Sequence, residues 1–305
     1  MNTNVVVINE VGLRDGLQNQ HTQVSTAGKC QLAELLVEAG LRHMEATSFV
    51  SPKAVPQMAD AAELMAILPK QSDVEYAALI PNERGYERAI NEGVRSVNVA
   101  LSATDEMNRN NIRMSLDETR AVCQRIIARA TADGVTARGY VAVAYECPFE
   151  GAVPFERVVR LVDEMFESGA DQVIIADTIG AAAPTAVYER FTALASRFDI
   201  NRLSAHFHDT RALALANCWA ALQTGVRRFD SSIGGLGGCP FAPGAAGNVA
   251  TEDLVLMLEQ CGYSTGIDVT RLLAAVRLAE ELTERELGGR MLPWLLTRNK
   301  ACSGA

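Results

Sequence analysis

The sequence has no apolar run approaching the roughly eighteen residues that a membrane-spanning helix needs. It also lacks an excess of positive charge, because 28 lysines and arginines stand against 37 aspartates and glutamates, for a net charge of −9. Domains that bind nucleic acid usually carry a basic face. The composition therefore predicts no membrane span and no nucleic-acid partner.

Disulfide and thiolate-metal patterns are also missing. The seven cysteines include no C-x-x-C pair and do not resemble a small disulfide framework. The opening segment MNTNVVVINE has no basic region of the kind that begins a signal or transit peptide. These absences predict reduced thiols and a cytoplasmic protein.

What the sequence does contain is a boundary that recurs five times: a helix-like stretch, a glycine, then a short apolar run. The five copies are EAGLRHMEA, NEGVRSVNVA, ADGVTARGYVAVA, ESGADQVIIAD and QTGVRRFDSS. A glycine at this place suits a left-handed helix C-cap. The apolar run that follows is typical of a buried parallel strand.

Counting such runs predicts eight strands, at about 4–12, 42–49, 75–80, 96–103, 136–144, 172–178, 202–208 and 227–233. Amphipathic helical patterns follow nearly all of them, and SLDE at Ser115 predicts a capping box. Eight alternating units predict a single α/β domain over 1–305, a (β/α)8 TIM barrel at about 4–262 with a C-terminal helical extension at about 263–305. The alternative, a doubly wound sheet, lacks the expected G-x-G-x-x-G after the first strand.

Active sites of such barrels lie at the carboxyl ends of the strands. The segment HFH ends the seventh predicted strand, and residues two apart on a strand point to the same side. His206 and His208 could therefore bind a divalent metal together. A hydrogen-bonded histidine pair without metal explains the spacing equally well.

Three other predicted strand regions carry charged candidates. Arg14 and Asp15 follow the first strand, where a carboxylate could complete a metal site and a guanidinium could stabilise an oxyanion; a surface ion pair is the alternative. Glu45 lies within an apolar strand, so it is either functional or part of a buried ion pair. Asp177 ends the sixth strand and could instead be a helix N-cap.

Four longer segments resemble the 3-hydroxy-3-methylglutaryl-CoA (HMG-CoA) lyase family. They are EVGLRDGLQNQ, TSFVSPKAVPQMAD, HFHDT and GGLGGCPFAPGAAGNVATEDL, and the similarity extends from about Val5 to Leu287. The family belongs to a superfamily of metal-dependent lyases and acyltransferases built on a TIM barrel. The resemblance therefore implies the same fold that the strand count predicts.

The resemblance also implies roles for particular residues. It places Mg²⁺ or Mn²⁺ on four ligands, Asp15, His206, His208 and Asn248. It identifies Arg14 and Cys239 as catalytic and gives supporting or acid/base roles to Glu45, Asp177 and Glu252. The glycines around Cys239 then form a mobile loop that closes over the substrate.

The implied reaction is a retro-Claisen cleavage of an acyl-CoA. The substrate's C3 hydroxyl loses a proton, the C2–C3 bond breaks, and acetyl-CoA leaves as an enolate that Cys239 protonates. HMG-CoA is the expected substrate and acetoacetate the second product, as in leucine degradation and ketone-body metabolism. The family also implies a homodimer.

Some positions depart from the family pattern. Tyr145-Glu146, Ile174 and the run Arg211 to Leu213 replace the residues usual there, and we expect them near the substrate mouth, where they could alter the preferred acyl group. Three other functions stay open: a Claisen-condensing acyltransferase of the isopropylmalate synthase type, a metal-dependent hydrolase on a TIM barrel, and a non-catalytic ligand-binding relative.

Overall fold

The computed structural model describes residues 4–238 and 247–303, with side chains up to residue 297. Eight strands form the barrel: β1 (Val7–Glu10), β2 (His43–Ser48), β3 (Glu75–Leu79), β4 (Ser96–Ser102), β5 (Thr136–Ala142), β8 (Gln172–Asp177), β9 (Leu203–Phe207) and β10 (Arg228–Ser231). The barrel is closed, every neighbouring pair is parallel, and the order is β1-β10-β9-β8-β5-β4-β3-β2. The predicted (β/α)8 barrel is confirmed.

Helices surround the barrel and bury their apolar faces against it. They are α1 (Thr26–Glu38), α2 (Ala61–Ile67), α3 (Glu83–Asn91), α4 (Asp105–Ile112), α5 (Leu116–Ala132), α6 (Phe155–Glu167), α7 (Pro184–Ala195), α8 (Ala214–Gln223), α9 (Thr251–Gln260), α10 (Val269–Thr283) and α11 (Leu292–Ser303). None of the helices in the described ranges is long and apolar enough to cross a bilayer. The last two helices lie in the predicted extension, and α10 packs against α1.

The local signals in the sequence correspond to real helix ends. All five predicted boundary glycines have positive φ angles, between 68° and 107°. Ser115 caps α5 by accepting a hydrogen bond from the Glu118 amide at 3.2 Å, and the Glu118 carboxylate accepts one from the Ser115 amide at 2.7 Å. This reciprocal pair is the predicted capping box.

One element was not predicted. After β5 the chain forms a small antiparallel hairpin of β6 (Glu146–Cys147) and β7 (Gly151–Ala152) before α6 begins. Strands of two residues leave no periodicity to detect. The hairpin carries Glu146 on its exposed edge.

The inside of the barrel is polar where barrels of this type are usually filled by branched apolar side chains. Tyr140 of β5 donates a hydrogen bond to Asp230 of β10 at 2.8 Å, although these strands are not neighbours in the sheet. Such a bond can only cross the interior. Burying polar groups is costly unless they are hydrogen-bonded, so this interior predicts a functional site.

Candidate active site and metal centre

The turn after β1 explains how two adjacent residues both reach the barrel mouth. Residues Gly12–Gly16 form one π-helical turn, in which the Val11 carbonyl accepts the amides of Arg14 at 3.2 Å and Asp15 at 2.8 Å. Single π turns are frequent at functional sites. On a continuing strand the two side chains would face opposite sides, so the tight turn is what brings them together.

Arg14 and Asp15 form a buried ion-pair network and not a surface pair. Arg14 is 7% exposed, and its Nη1 lies 2.7 Å from Asp15 Oδ1. Its Nε and Nη2 both contact the carboxylate of Glu45, which is fully buried and also accepts a hydrogen bond from Asn98 Nδ2 at 2.7 Å. Burial raises the pKa of Glu45, and the charge of Arg14 opposes that rise. Glu45 therefore holds the guanidinium at the mouth.

Three predicted metal ligands converge at the end of β9. One ligand atom from each of Asp15, His206 and His208 lies within 4.8 Å of the others. The two imidazole centroids are 5.2 Å apart, because both rings project from the same side of the strand. The structure thus brings together residues separated by almost two hundred positions in the chain.

Asn248 lies beside this cluster and presents an oxygen to it. Its backbone pairs with His208 in an antiparallel bridge, and its Nδ2 donates to Asp15 Oδ2 at 2.8 Å and to the Leu236 carbonyl at 3.0 Å. Because both partners are acceptors, the amide orientation is determined. Asn248 Oδ1 is then buried without a hydrogen-bond partner in the described part of the chain.

An orphaned buried oxygen needs an explanation, and a bound cation supplies one. His208 Nδ1 is likewise buried with no partner among the described residues. One carboxylate, two imidazoles and one amide oxygen are ligands that suit a divalent ion of the magnesium or manganese type. The residues present therefore fit the implied metal.

The charge states of the three side chains also suit a cation. Burial opposes ionisation of Asp15, but the charge of Arg14, followed by His206 and His208, lowers its pKa to about 2. Burial, with a smaller contribution from His206, lowers the pKa of His208 to about 4. Near neutral pH the cluster therefore offers an ionised carboxylate and a neutral His208 imidazole, the forms that bind metals.

Sequence reasoning missed Asp230, which orients His206. Asp230 Oδ2 lies 3.0 Å from His206 Nδ1, and its carboxylate also accepts from Tyr140 and from Asn9 Nδ2 at 2.9 Å. Burial lowers the pKa of His206, but the hydrogen bond and charge of Asp230 outweigh it, so the pKa is raised. A carboxylate on Nδ1 leaves Nε2 free to bind a metal. The signal for Asp230 in the sequence was a single acid in the predicted strand segment VRRFDSS.

Glu10 is a second missed residue. It is fully buried at the end of β1, and one oxygen accepts the amides of Gly12 at 2.8 Å and Ile233 at 2.9 Å. The other oxygen accepts from Thr251 Oγ1 at 2.5 Å. Glu10 therefore ties together the turn that carries Asp15, the start of the glycine-rich segment and the start of α9.

Two predicted acidic residues lie outside the three-residue cluster. Asp177 accepts hydrogen bonds from the amides of Ala181 at 2.8 Å and Ala182 at 2.9 Å, which shapes the loop before α7 without making Asp177 its N-cap. Glu252 accepts from the amides of Gly234 at 3.0 Å and Gly289 at 2.6 Å. Burial raises the pKa of Asp177, and raises that of Glu252 to about 7.

The glycine-rich segment is described only at its two ends, and Cys239 lies outside the described residues. Gly237 has φ +139°, and a Cβ built on it would lie 2.6 Å from Asn248 Nδ2. A side chain there would therefore displace a predicted metal ligand. This close approach explains why position 237 requires a glycine. The role of Cys239 stays a prediction.

The departures from the family pattern occupy different places. Ile174 lies inside the barrel among residues of the amino end, so the expectation that it borders the mouth is wrong. A residue three positions before the end of β8 lies too far down the strand to reach the mouth.

The other departures lie near the hairpin and the loop after β9. Glu146 is exposed on the hairpin. Tyr145 is buried beneath the guanidinium of Arg190, which lies 4.9 Å from its ring centroid, and its hydroxyl has no partner in the described ranges. The Arg211 side chain donates to the Gly180 carbonyl at 2.9 Å.

The fold and this cluster define a class of protein: a TIM-barrel enzyme with a candidate metal centre at the carboxyl ends of its strands. The model of the HMGL-like family matches residues 5–279. The chain belongs to the HMGL-like family.

Individual relatives agree with that assignment. The chain is 43% identical over 287 residues to hydroxymethylglutaryl-CoA lyase YngG of Bacillus subtilis, and the match covers 94% of this chain and 96% of the relative. It is 43% identical over 270 residues to the mitochondrial hydroxymethylglutaryl-CoA lyase of Bos taurus, spanning 88% and 83%. An HMG-CoA lyase from Acinetobacter baumannii, solved in complex with coenzyme A and 3-methylmalate, superposes with a TM-score of 0.91 at 38% identity over 95% of each chain. The carbon–carbon lyase class is thus confirmed, and the condensing and hydrolytic alternatives are not favoured.

Proposed function

We propose that this chain cleaves HMG-CoA to acetyl-CoA and acetoacetate by a retro-Claisen reaction that depends on Mg²⁺ or Mn²⁺. The observation that carries the proposal is the convergence of Asp15, His206 and His208 within 4.8 Å, beside the unpartnered Asn248 Oδ1. The cluster lies in a chain similar over most of its length to named HMG-CoA lyases.

These four residues would hold the metal. When bound, the ion would act as a Lewis acid toward the hydroxyl and acyl oxygens of the substrate and so ease ionisation and orient the reacting bond. Asp230 keeps one nitrogen of His206 occupied, so that the ring is held in one orientation before substrate arrives.

Arg14 would stabilise the negative charge that moves onto the thioester oxygen when the C2–C3 bond breaks. A guanidinium has five N–H groups, and the contacts with Asp15 and Glu45 account for three of them. The remaining N–H groups are available to an oxyanion. Because the guanidinium is held by two carboxylates, it needs little reorganisation when that charge develops.

Two proton transfers complete the reaction. The C3 hydroxyl gives up its proton to a base, its electrons form the ketone as the C2–C3 bond breaks, and the enolate of acetyl-CoA takes a proton at carbon. Cys239 is our proposed donor for the second transfer.

We expect Cys239→Ser to fold normally and be nearly inactive, since a serine hydroxyl is a much weaker acid than a thiol. Substrate should protect the parent enzyme from thiol alkylation, and normal cleavage by the serine variant would place the donor elsewhere.

The decisive experiment is a coupled assay for acetyl-CoA release from HMG-CoA, with added Mg²⁺ or Mn²⁺ and after chelation. A panel of 3-hydroxy-3-substituted acyl-CoA thioesters tests which acyl group the enzyme prefers. Tyr145 is the residue that we expect to influence this preference. Release from HMG-CoA that needs metal supports the proposal. Condensation of acetyl-CoA with a keto acid, or thioester hydrolysis without carbon–carbon cleavage, would instead support the alternatives.

We further propose that the barrel and its C-terminal helices act as one unit and that the chain works as a cytoplasmic homodimer in leucine degradation and ketone-body metabolism. Glu252 joins the glycine-rich segment to Gly289 of the extension, which supports the single unit. The five cysteines whose side chains the structure describes are all free thiols, which is consistent with a reducing compartment. Light scattering tests the dimer, and cell fractionation tests the compartment.

A further inference from the structure

A second polar cavity opens at the amino end of the barrel, opposite the candidate metal centre. Its empty space of about 300 Å³ is partly open to solvent, and its wall includes His43, Arg138, Gln172, Ser204 and Arg228, with Asp230 further inside. The first five of these residues all belong to the first three positions of their strands. Because the space opens to solvent, a small ion can reach it from outside the barrel.

The two arginines of the cavity differ in their partners. Arg138 Nη1 donates to Ser96 Oγ at 2.7 Å and its Nη2 donates to Glu75 Oε1 at 2.5 Å, so its charge is compensated. The guanidinium of Arg228 makes no hydrogen bond and no ion pair with any described residue, although it is only partly exposed. Burial and then the like charge of Arg138 lower its pKa, and the charge of Glu75 opposes them. Arg228 is thus a cation with no described carboxylate in contact with it.

The acidic groups facing the cavity are already engaged. Glu75 is bound to Arg138, and its Oε1 lies 4.0 Å from His43 Nδ1, too far for a hydrogen bond. His43 Nδ1 is itself buried with no partner in the described part of the chain. Deeper in the barrel, Asp230 uses both oxygens for Asn9, Tyr140 and His206. No described carboxylate therefore contacts the guanidinium of Arg228, and Glu75, which is shared with Arg138, acts on it only through space.

We propose that this cavity is a binding site for a small oxyanion, with Arg228 as its main charge partner. A guanidinium presents paired N–H groups that match phosphate and carboxylate oxygens. Arg138 adds positive charge, and the amide of Gln172 and the ring of His43 offer further polar contacts. The ligand class is an inorganic phosphate or a short carboxylate, and its binding would offset the repulsion between the two arginines.

This proposal does not rest on the proposed lyase activity, although Asp230, which contacts the predicted ligand His206, also lines the cavity. The two arginines lie at the first and third positions of β10 and β5, whereas the candidate metal ligands lie at or after the far ends of β1 and β9. Occupation of the site should therefore stabilise the fold without being required for turnover. Failure of the lyase assay would not affect the binding test, and failure of the binding test would not affect the lyase assay.

The test is the thermal unfolding of the metal-loaded enzyme in millimolar sodium phosphate against sodium chloride of equal ionic strength. We expect phosphate to raise Tm by roughly 3–8 °C near saturation. Arg228→Gln should lose most of this increase while keeping normal turnover. Arg125→Gln, which removes an exposed arginine from the outer helix α5, is the matched control and should keep the increase.

Phosphate also stabilises proteins generally, because it is excluded from their surfaces. That effect would appear equally in Arg228→Gln, and an equal increase would overturn the proposal, as would no phosphate-specific increase in the parent. An increase that persists in Arg228→Gln but disappears when coenzyme A is added would place the anion in the active site and also overturn it.

Calorimetric titration then counts the sites and separates the ligand sources. We expect one phosphate per chain in the parent, weaker binding in Arg228→Lys because the charge remains without the paired N–H geometry, and no binding in Arg228→Gln. Acetate and succinate titrated in the same way show whether carboxylates compete. If Arg228→Gln does not fold, the parent and Arg228→Lys still decide, since equal affinity in the two would contradict the role given to the guanidinium.

Discussion

The two ends of the barrel use charged side chains in opposite ways. At the carboxyl end, Arg14 contacts two carboxylates and three ligand atoms converge within 4.8 Å. At the amino end, Arg138 forms an ion pair with Glu75, while no described carboxylate contacts Arg228. One end holds a tightly connected network, and the other holds a partly exposed cation beside a cavity.

The backbone explains the difference. Asp15 lies on a π-helical turn, and Asn248 lies on a bridge outside the regular barrel, so both can aim at one point. Arg228 begins a regular strand, so no turn or bridge re-aims its side chain toward a carboxylate. The candidate metal centre therefore depends on the turn and the bridge at the ends of the strands as well as on the two histidines of the β9 region.

Removal of a predicted metal ligand at the carboxyl end should have the largest effect. We expect His206→Ala and Asp15→Ala to lose metal binding and more than about a hundredfold in turnover, because even residues that only support a ligand commonly cost ten- to a hundredfold. The readouts are metal content by elemental analysis and acetyl-CoA release. Arg228→Gln at the other end is the control, with turnover within about twofold. Full activity of metal-free enzyme would disprove the metal centre.

Replacing the arginine of the carboxyl end should cost nearly as much. We expect Arg14→Gln to keep its metal and fold but to lower kcat on the order of a hundredfold, the usual effect of removing one oxyanion donor. KM for HMG-CoA should change less, because the developing charge exists only in the transition state. A kcat within about twofold of the parent would remove Arg14 from the mechanism.

A smaller effect is expected from the support beneath His206. Asp230→Asn keeps the shape but replaces an acceptor by a group that can also donate, so His206 loses its fixed orientation. We expect a ten- to hundredfold weaker metal affinity, measured by titration of Mn²⁺ and followed in its paramagnetic resonance. Because this is a loss of affinity, saturating metal should restore most of the turnover. A variant with unchanged Mn²⁺ affinity would show that Asp230 only fills space.

The smallest effect concerns stability. Burial raises the pKa of Glu10 from 4.5 to about 7, so the folded protein binds a proton that the unfolded chain has released. This contribution to stability is complete below about pH 4.5 and is lost as the pH rises through about 7. In the parent, the free energy of unfolding should fall by about 3 kcal/mol across that pH range because of Glu10. We expect Glu10→Gln to abolish this pH-dependent fall. Urea unfolding curves measure it, and identical pH slopes for parent and variant would contradict it.

The barrel was predictable because each of its units repeats the same local signals. A glycine after Glu92 and an apolar run from Val94 to Ala100 predict a helix end and a strand without any knowledge of the rest of the chain. The hairpin at Glu146 has no such signal. Hydrophobic periodicity could therefore predict the eight barrel strands but not the two-residue strands of the hairpin.

The candidate site divides along a similar line. His206 and His208 stand out by their spacing and Asp15 by its place after the first strand, whereas only the resemblance supplied Asn248. Asp230 was missed because a single acid in an apolar strand does not reveal what it contacts. Ile174 was misplaced because a position along a strand shows neither how deep in the barrel it lies nor which end it faces.

Local patterns and long matching segments in the sequence predict the eight-unit barrel, the end of the barrel where the candidate site lies and most of the candidate ligands. The sequence does not reveal that Tyr140, Asn9 and His206 meet on Asp230, or that Arg228 faces a cavity with no described carboxylate in contact. The physical reason is closure of the sheet: contacts across the inside of a barrel join strands that are distant in sequence, and their geometry exists only once β1 pairs with β10.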